Sequence, residues 1–357
     1  MTSTVETRQA TGSNSPSKPS VTMAAALNRA LADAMAADQS VLMFGEDVGT
    51  LGGVFRITDG LSARFGQQRC FDTPLAESGI VGTAIGMAMN GMRPVVEMQF
   101  DAFAYPAFQQ IISHVAKMAN RTRGKVRLPM VIRVPYAGGI GGVEHHCDSS
   151  EAYYAHTPGL VVLTPATAAD AYLMLRDAID SDDPVVFLEP KKLYFAKEQA
   201  DLDELAEQWP ERRGASLGRA VVARPGTDAT LLAYGPSVAP ALAAAEIAAS
   251  EGRSLEVVDL RSLTPFDDET VCASVRKTGR AVVVAEAPGF ASVAAEVAAR
   301  VQERCFHSLA APVLRVTGFD IPYPAPKLEK FYLPDADRIL DAVDALQWDD
   351  ELVENGR

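Results

Sequence analysis

Hydrophobic positions along the first half of the chain follow two different periods in turn. Short apolar runs of strand length alternate with longer segments in which apolar residues recur every three or four positions, the period of an amphipathic helix. The predicted strands of this half are 41–45, 69–72, 94–100, 130–135, 160–164 and 184–189. The predicted helices are 22–37, 61–66, 77–90, 106–120, 149–154 and 168–181. This alternation is typical of a parallel sheet covered by helices on both faces.

A second alternating series follows a charged segment, 196–213, whose apolar residues suggest no strong period and which we interpret as a linker. The predicted strands are 230–234, 255–260, 281–286 and 313–316, and the predicted helices are 238–251, 267–277, 291–306 and 335–346. The pattern therefore predicts an α/β fold with two consecutive doubly wound domains, 21–195 and the smaller 214–346. Residues 1–20 are rich in Ser and Thr and are predicted to be a disordered tail, and 347–357 a second tail.

Composition narrows the class of protein. The formal net charge of -13 argues against nucleic acid and anionic membrane partners, both of which select basic surfaces. No apolar run approaches the roughly 18 residues that a membrane span requires. The four cysteines have no paired spacing, so neither a disulfide framework nor a zinc ribbon is indicated, and a reducing compartment fits.

The first 20 residues bear on localisation. They lack the apolar block of a secretory signal, and they contain Glu6 beside only Arg8 and Lys18, whereas a mitochondrial presequence avoids acids and favours Arg. We therefore expect a bacterial cytoplasmic protein and disfavour the mitochondrial matrix.

The stretch around Glu77 is the strongest candidate for chemistry. Thr73-Pro74 predicts an entry turn, and Gly79, Gly82 and Gly86 then fall on one side of the helix that follows. A helix face without side chains lets another backbone approach closely. The alternative is a flexible loop with a surface Glu.

A second candidate lies after the predicted strand 130–135. Four glycines within 138–142 indicate a mobile segment that could close over a bound group, and it leads into His145, His146, Cys147 and Asp148. Consecutive residues of an extended loop point to opposite sides, so these four alone do not make a zinc site. A His in this position suits proton donation, or hydrogen bonding to a carbonyl oxygen as that oxygen gains charge.

Common nucleotide and diphosphate signatures are missing. Thr58-Asp59-Gly60 with Asn90 superficially matches the Gly-Asp-Gly…Asn pattern that binds magnesium and a diphosphate, but no apolar strand runs into it, and Asn90 serves as a helix stop. The chain also contains neither a Walker loop nor a Gly-x-Gly-x-x-Gly that opens a helix after a strand.

Six motifs in order carry a resemblance to a known family: FGEDV at 44–48, TPLAE at 73–77, QF at 99–100 with PAF at 106–108, HH at 145–146, FLEPK at 187–191 and VDLRSL at 258–263. From about residue 21 to 346 the chain resembles the beta subunit of the decarboxylating component of 2-oxo acid dehydrogenase complexes, most closely the branched-chain type. The resemblance implies a transketolase-like pyrimidine-binding domain followed by a transketolase C-terminal-like domain.

The resemblance also implies a cofactor, thiamine diphosphate, shared with an alpha subunit that holds the diphosphate and magnesium. Glu77 would then hydrogen-bond a ring nitrogen of the aminopyrimidine and promote its imino tautomer. Phe103 would pack on that ring, and Gln99 would line it. A carboxyl group at an apolar helix crossing is expected to have a pKa above its usual value of about 4.3.

His146 matches the catalytic His of the family, which orients and protonates intermediates during acyl transfer to a lipoyl group, and His145 is its neighbour. Members of the family commonly have Ser-Gln after this His, where this chain has Cys147-Asp148. The resemblance further implies a structural potassium ion bound mainly through backbone carbonyls of Met130, Ala178, Ile179, Ser181 and Asp183.

The predicted function is that of the beta subunit of an alpha2beta2 enzyme. It would oxidatively decarboxylate a 2-oxo acid of the 3-methyl-2-oxobutanoate type and acylate the lipoyl-lysine of a dihydrolipoyl acyltransferase, while the second domain pairs the subunits and docks that core. The alternatives are a pyruvate or acetoin dehydrogenase beta subunit, a secondary-metabolism relative, or a catalytically silent assembly scaffold. A self-sufficient transketolase-like enzyme would need its own diphosphate domain, for which 357 residues leave no room.

Overall fold

The computed structural model of the protein describes residues 18–346, in which strands and helices alternate along the chain. The strands are β1 Ser20–Thr22, β2 Val41–Gly45, β3 Cys70–Asp72, β4 Arg93–Glu97, β5 Val131–Tyr136, β6 Val161–Leu163, β7 Val185–Pro190, β8 Lys197–Gln199, β9 Val221–Arg224, β10 Ala229–Ala233, β11 Leu255–Asp259, β12 Ser262–Thr264, β13 Ala281–Pro288 and β14 Leu314–Gly318. Of the predicted tails 1–20 and 347–357, residues 1–17 and 347–357 lie outside the described residues, and Ser20 begins β1.

The α-helices are α1 Met23–Ala37, α2 Leu61–Phe65, α3 Glu77–Met89, α4 Phe108–Gln110, α5 Met118–Arg121, α6 Glu144–Cys147, α7 Glu151–Ala155, α8 Ala168–Asp180, α9 Leu202–Arg212, α10 Val238–Ser250, α11 Asp268–Thr278, α12 Val293–Cys305, α13 Glu329–Tyr332 and α14 Ala336–Asp344. Short 3-10 turns occupy Ala102–Ala107, Lys191–Leu193, Gly235–Ser237 and Phe306–Ser308, and Ile111–Val115 is a π turn. Within residues 18–346, every helix is too short or too polar to span a lipid bilayer.

The first sheet has seven strands in the order β12-β6-β7-β5-β4-β2-β3, parallel except for β12, which is antiparallel to β6. The central strands β5 and β7 are buried along their whole length. Because parallel strands end at the same edge, the segments that follow β2, β3, β4 and β5 all emerge on one side of the sheet.

The second sheet has the order β14-β13-β10-β11-β9, in which the edge strand β9 is antiparallel. Strands β9 and β12 were not expected from the sequence, because each is a short edge strand of three or four residues. The two-domain α/β class is confirmed. The domains also share a core, since one hydrophobic cluster contains Ile132 and Val134 of the first sheet and Leu232 and Val283 of the second.

The segment expected to be a linker contains regular structure. It forms β8, which pairs with β1, and α9, whose Leu202, Leu205, Ala206 and Trp209 pack against the first core. These four positions have the i, i+3, i+4, i+7 spacing of an amphipathic helix, which the many charged residues between them concealed. The predicted domain boundaries stay predictions.

The predicted helix 106–120 is interrupted. Pro106 lies in a 3-10 turn, and the Ala116 N–H donates to the Ile111 carbonyl at 2.9 Å, which is the five-residue spacing of a π turn. Such turns are frequent near functional sites.

A buried ion-pair cluster joins the three strands at the centre of the first sheet. Arg133 on β5 donates to both carboxylate oxygens of Glu189 on β7, at 2.7 and 2.8 Å, and to Glu97 on β4 at 2.6 Å. All three side chains are at most 4% exposed. Tyr194 adds a hydroxyl donor to Glu189 at 2.6 Å. Burial raises the pKa of Glu97, and the charge of the Arg133 guanidinium opposes this shift.

Replacing Arg133 with Met should destabilise the folded chain by about 3 to 5 kcal/mol, because two buried carboxylates lose their partner. Urea unfolding of the purified chain measures this loss. Arg127→Met is the matched control: Arg127 pairs with Asp183 where both side chains are 56% exposed, and its loss should cost about 1 kcal/mol or less. Equal effects of the two substitutions would contradict the role given to the buried cluster.

Candidate active site

One edge of the first sheet collects the side chains that could perform chemistry. Glu46 follows β2, Glu77 opens the helix after β3, Gln99 and Phe103 follow β4, and His146 follows β5. These four strands are consecutive in the sheet, in the order β5-β4-β2-β3. The fold therefore brings together all of the residues predicted to be catalytic or to bind the cofactor.

Glu77 is the first residue of α3, after Ala76, which provides no side-chain cap. A carboxylate is favoured there by the positive end of the helix dipole. Its side chain is half-buried. A Cβ placed on Gly82 or Gly86 would have no contact within 4 Å. Among the described residues, the glycine face of α3 therefore has no packing partner, and none of them makes the helix crossing that the sequence predicts.

Glu46 lies beside Glu77 and was not among the predicted site residues. It is 5% exposed, and neither carboxylate oxygen accepts a hydrogen bond from the described residues. Burial, and secondarily the negative charges of Glu77 and Asp47, raises the pKa of Glu46 to about 7. Buried polar groups normally have partners, so an orphaned carboxyl group here fits a ligand that donates a hydrogen bond. The available signal was its position, directly after a buried strand of a parallel sheet.

Gln99 is connected to the same strand end. Its side-chain amide donates to the Asp47 carboxylate at 3.1 Å, and Asp47 itself has a φ of 59°, in the left-handed region. This contact spans the ends of β2 and β4 and holds Gln99 close to the Glu46 backbone.

Aromatic rings form the other wall of the site. The ring centroid of Phe103 lies 5.6 Å from that of Phe100 and 5.6 Å from that of His146, and both pairs are edge to face. The ring centroids of Phe100 and His146 are 4.5 Å apart. The His145 ring lies 4.3 Å from that of His146. Phe103 and His146, which are 43 positions apart in sequence, thus share one cluster that a flat heteroaromatic ring could join.

The His residues lie on a helical turn, α6, rather than on the extended loop that the sequence suggested. Cys147 is fully buried, and Asp148 accepts the Tyr105 hydroxyl at 2.9 Å. Within residues 18–346, no group of three or more His, Cys, Asp or Glu side chains could hold a metal ion. Burial, followed by the charges of His145 and Lys191, lowers the pKa of His146. The lowered pKa favours the neutral imidazole at pH 7, which can accept a proton or donate one hydrogen bond.

Lys191 is a second charged group that sequence reasoning did not assign. It is 2% exposed, and its ammonium group has no hydrogen-bond partner among the described residues. Burial lowers the pKa of Lys191 to about 8, against the opposing attraction of Asp101. Asp101 accepts both the backbone N–H of Ser150, at 3.1 Å, and its hydroxyl. These groups form a buried polar layer behind the aromatic cluster.

The residues predicted to bind potassium lie around the C-terminal end of α8, where a cation is favoured. Arg93 occupies part of this position. Its guanidinium donates to the carbonyls of Ile179 and Ser181, at 3.1 and 2.9 Å, and pairs with Asp182 at 2.9 Å. A protein cation therefore already contacts two of the five predicted ligands.

The other three predicted ligands are buried or make contacts within the chain. The Met130 carbonyl accepts the Val185 N–H at 3.0 Å, and Ala178 is buried within α8. The Asp183 carbonyl accepts the Ser181 hydroxyl at 3.1 Å, and its carboxylate pairs with Arg127 at 3.0 Å. The potassium site stays a prediction.

Comparisons with known proteins identify the family of both domains. The family described as "Transketolase, pyrimidine binding domain" matches residues 19–197, and "Transketolase, C-terminal domain" matches residues 218–339. The chain is 57% identical to "Pyruvate dehydrogenase E1 component subunit beta" of Leifsonia xyli subsp. xyli, over 92% of this chain and 95% of the relative.

Two further relatives carry a different substrate name. The chain is 53% identical to "3-methyl-2-oxobutanoate dehydrogenase subunit beta" of Mycobacterium tuberculosis, over 91% of both chains. It is 42% identical to "2-oxoisovalerate dehydrogenase subunit beta" of Pseudomonas aeruginosa, over 91% of this chain and 95% of that one. Among solved structures, it is similar to a "Split gene transketolase, inactive beta4 tetramer", with a TM-score of 0.73, 25% identity, and coverage of 91% of this chain and 98% of that chain.

Replacing Glu46 with Gln should change how the stability of the isolated chain depends on pH. The pKa of Glu46 is raised from 4.5 to about 7 on folding, so between these values the folded state binds more protons than the unfolded state. The wild-type contribution of this group to stability therefore falls as pH rises through that window. Gln does not titrate, so the unfolding free energy of the variant should rise relative to wild type between about pH 5 and about pH 8.

Urea unfolding at several pH values measures this difference, in which the contributions of acids distant from Glu46 cancel. Glu246→Gln, at an exposed position of α10, is the control for the loss of one carboxylate charge. A flat difference for Glu46→Gln would show that Glu46 is not held in a desolvated position.

Proposed function

We propose, from the premise that this chain belongs to the beta subunits of the E1 component of 2-oxo acid dehydrogenases, that it provides the pyrimidine-binding half of a thiamine diphosphate site for the decarboxylation of a branched-chain 2-oxo acid. The observation that supports this most directly is the pair of carboxyl groups, half-buried Glu77 and buried, unpartnered Glu46, next to an aromatic cluster at one sheet edge.

The residues present fit the cofactor. Glu77 would hydrogen-bond a ring nitrogen of the aminopyrimidine, Phe103 would pack on the ring, and Gln99 would line it. When bound, thiamine diphosphate supplies a nucleophilic carbon and an electron sink for decarboxylation. With a pKa of about 7, Glu46 holds a proton in part of the molecules at neutral pH. In its protonated form Glu46 can donate a hydrogen bond to a group that enters the site.

His146 would act later in the reaction. Its neutral imidazole lies against Phe100 and Phe103 and can donate one hydrogen bond to the substrate-derived oxygen during acyl transfer to a lipoyl group. His145 is more exposed and contacts the same cluster through Phe103, at 6.1 Å.

A second subunit would complete the site. Gly79, Gly82, Gly86 and Met89 of α3 follow the spacing of a helix-pairing stripe, and Met89 is 55% exposed. Leu75, just before the helix, is 81% exposed. An uncovered stripe of glycines and large apolar side chains supports an alpha subunit packed here, in an alpha2beta2 heterotetramer. That subunit would hold magnesium and the diphosphate, for which this chain has no signature.

The proposed substrate class follows the names of the relatives. Two of the relatives act, by name, on 3-methyl-2-oxobutanoate or 2-oxoisovalerate, and we propose the same substrate class here. The proposed acceptor, a lipoyl-lysine on a dihydrolipoyl acyltransferase, rests on the resemblance of the sequence motifs alone. Pyruvate is the second candidate, because the relative with 57% identity carries that name. A silent scaffold is disfavoured by the presence of Glu77, Phe103 and His146 together. The cytoplasmic location stays a prediction.

Glu77→Gln should leave assembly with a matched alpha subunit intact and lower decarboxylation by at least about 100-fold, since Gln cannot give a proton to the cofactor ring. The measurement is carbon dioxide release by the reconstituted pair with 3-methyl-2-oxobutanoate and with pyruvate. Glu246→Gln is the control for loss of a surface charge. Near-normal turnover by Glu77→Gln would refute the assigned role, and faster wild-type turnover of pyruvate would reverse the substrate proposal.

Gly82→Leu should prevent assembly with the alpha subunit without unfolding this chain. The new side chain has space, since nothing lies within 4 Å of a Cβ there, and removal of a helical Gly stabilises α3 by about 1 kcal/mol. Thermal unfolding of the isolated chain and size-exclusion chromatography of the mixed subunits measure the two effects. Ala243→Leu, at an exposed position of α10, adds similar bulk elsewhere and should assemble normally. Normal assembly of Gly82→Leu would place the interface elsewhere.

A further inference from the structure

The glycine-rich segment before His146 is attached to the second domain through its backbone. The Gly139 N–H donates to Glu329 Oε1 at 2.8 Å and to the Tyr323 hydroxyl at 3.1 Å. The Gly141 N–H donates to both carboxylate oxygens of Glu329, each at 3.2 Å. The Gly138 N–H donates to Glu286. Three backbone N–H groups of this segment thus donate to two carboxylates, which lie at least 145 positions later in the sequence.

Tyr323 and Glu329 form one unit. The Tyr323 hydroxyl donates to Glu329 Oε1 at 2.6 Å while it accepts from Gly139. Tyr323 is 8% exposed, and it packs with Tyr332 and with Cys147, the last residue of the turn that carries His146. The fit leaves no space for a side chain at position 138, because a Cβ there would lie 1.9 Å from the Tyr323 hydroxyl.

The two ends of the segment, at Ala137 and Asp148, are bound within the first domain. The Ala137 N–H donates to the Asp148 carbonyl at 2.8 Å, and the Asp148 carboxylate accepts the Tyr105 hydroxyl. Between these anchors, residues 138–147 leave β5 and return. The glycine-rich segment was expected from its sequence to be mobile, yet a carboxylate and a hydroxyl of the second domain bind its tip.

We propose that Glu329 and Tyr323 are positioning residues, which set the orientation of His146 by binding the backbone of residues 139–141. This inference rests on the proposed function of His146 in acyl transfer, and it assigns the positioning of that His to two residues of the second domain. Neither residue is required to contact the cofactor or the substrate. A carboxylate suits this place because all of its neighbours are donors: two backbone N–H groups and one hydroxyl.

The contacts are tested by hydrogen exchange in the reconstituted alpha and beta complex. Glu329→Ala removes the acceptor of both backbone donors, and the amides of residues 139–141 should exchange at least about tenfold faster than in wild type. Glu329→Gln keeps one acceptor oxygen and should give an intermediate increase. Tyr323→Phe keeps the ring packing and removes only the hydroxyl, so it tests the contact even if Glu329→Ala assembles poorly. Glu303→Ala, at an exposed position of α12, is the control and should leave exchange unchanged.

The positioning role is tested by separating the two half-reactions. Reductive acylation of a lipoyl domain should fall about tenfold in Glu329→Ala and less in Glu329→Gln, because small displacements of a catalytic group cost that much or more. Decarboxylation with an artificial electron acceptor should change less than about twofold, because Glu77 is untouched.

Unchanged exchange in both Glu329→Ala and Tyr323→Phe would overturn the proposed contacts. Faster exchange with unchanged acylation, or an equal loss of both half-reactions, would overturn the positioning role. Failure of the proposed function is a separate result, because a wild-type complex that decarboxylates no 2-oxo acid can still show the exchange difference.

Discussion

The buried ion pairs of Arg133 with Glu189 and Glu97 are the interaction on which the rest of the site depends. They join the three central strands of the first sheet below the edge from which the catalytic segments emerge. Three buried charges are costly unless each has a partner at hydrogen-bond distance, so the geometry of these strands tolerates little change. Gln99, Phe103 and His146 follow two of these strands, and the cluster therefore limits the movement of their backbone.

Three features that have no partner among the described residues lie near the same sheet edge. Glu46 is buried without a hydrogen bond, the glycine face of α3 has no neighbour among the described residues, and Leu75 is largely exposed beside it. Each feature is unfavourable in an isolated chain. The Glu46 carboxyl group is buried without a hydrogen bond, and the glycine face and Leu75 expose backbone and apolar surface to water. A cofactor ring and a second subunit would satisfy them together, which is why the geometry supports half of a shared active site.

The second domain contributes more than an assembly surface. Its chain provides β12 to the first sheet, its core is continuous with that of the first domain, and Glu329 binds the segment before His146. A change in the packing of the two domains would therefore reach the His through the backbone of residues 139–141. This arrangement couples the part of the molecule expected to face an acyltransferase with the residue expected to act in acyl transfer.

The sequence by itself determined the local structure and the identity of the reactive groups. Apolar periods located most helices and strands, Thr73-Pro74 and the glycines located Glu77 at the start of α3, and ordered motifs located Phe103 and His146. Only the tertiary structure decided the burial of Glu46, the capture of Gly139 by Glu329, and the use of Arg93 where potassium ligands were expected. These depend on contacts between residues that are 31 to 190 positions apart, from Glu46 with Glu77 to Gly139 with Glu329. Periodicity reports what lies within one or two turns along the chain, and it cannot report which distant group completes a hydrogen bond.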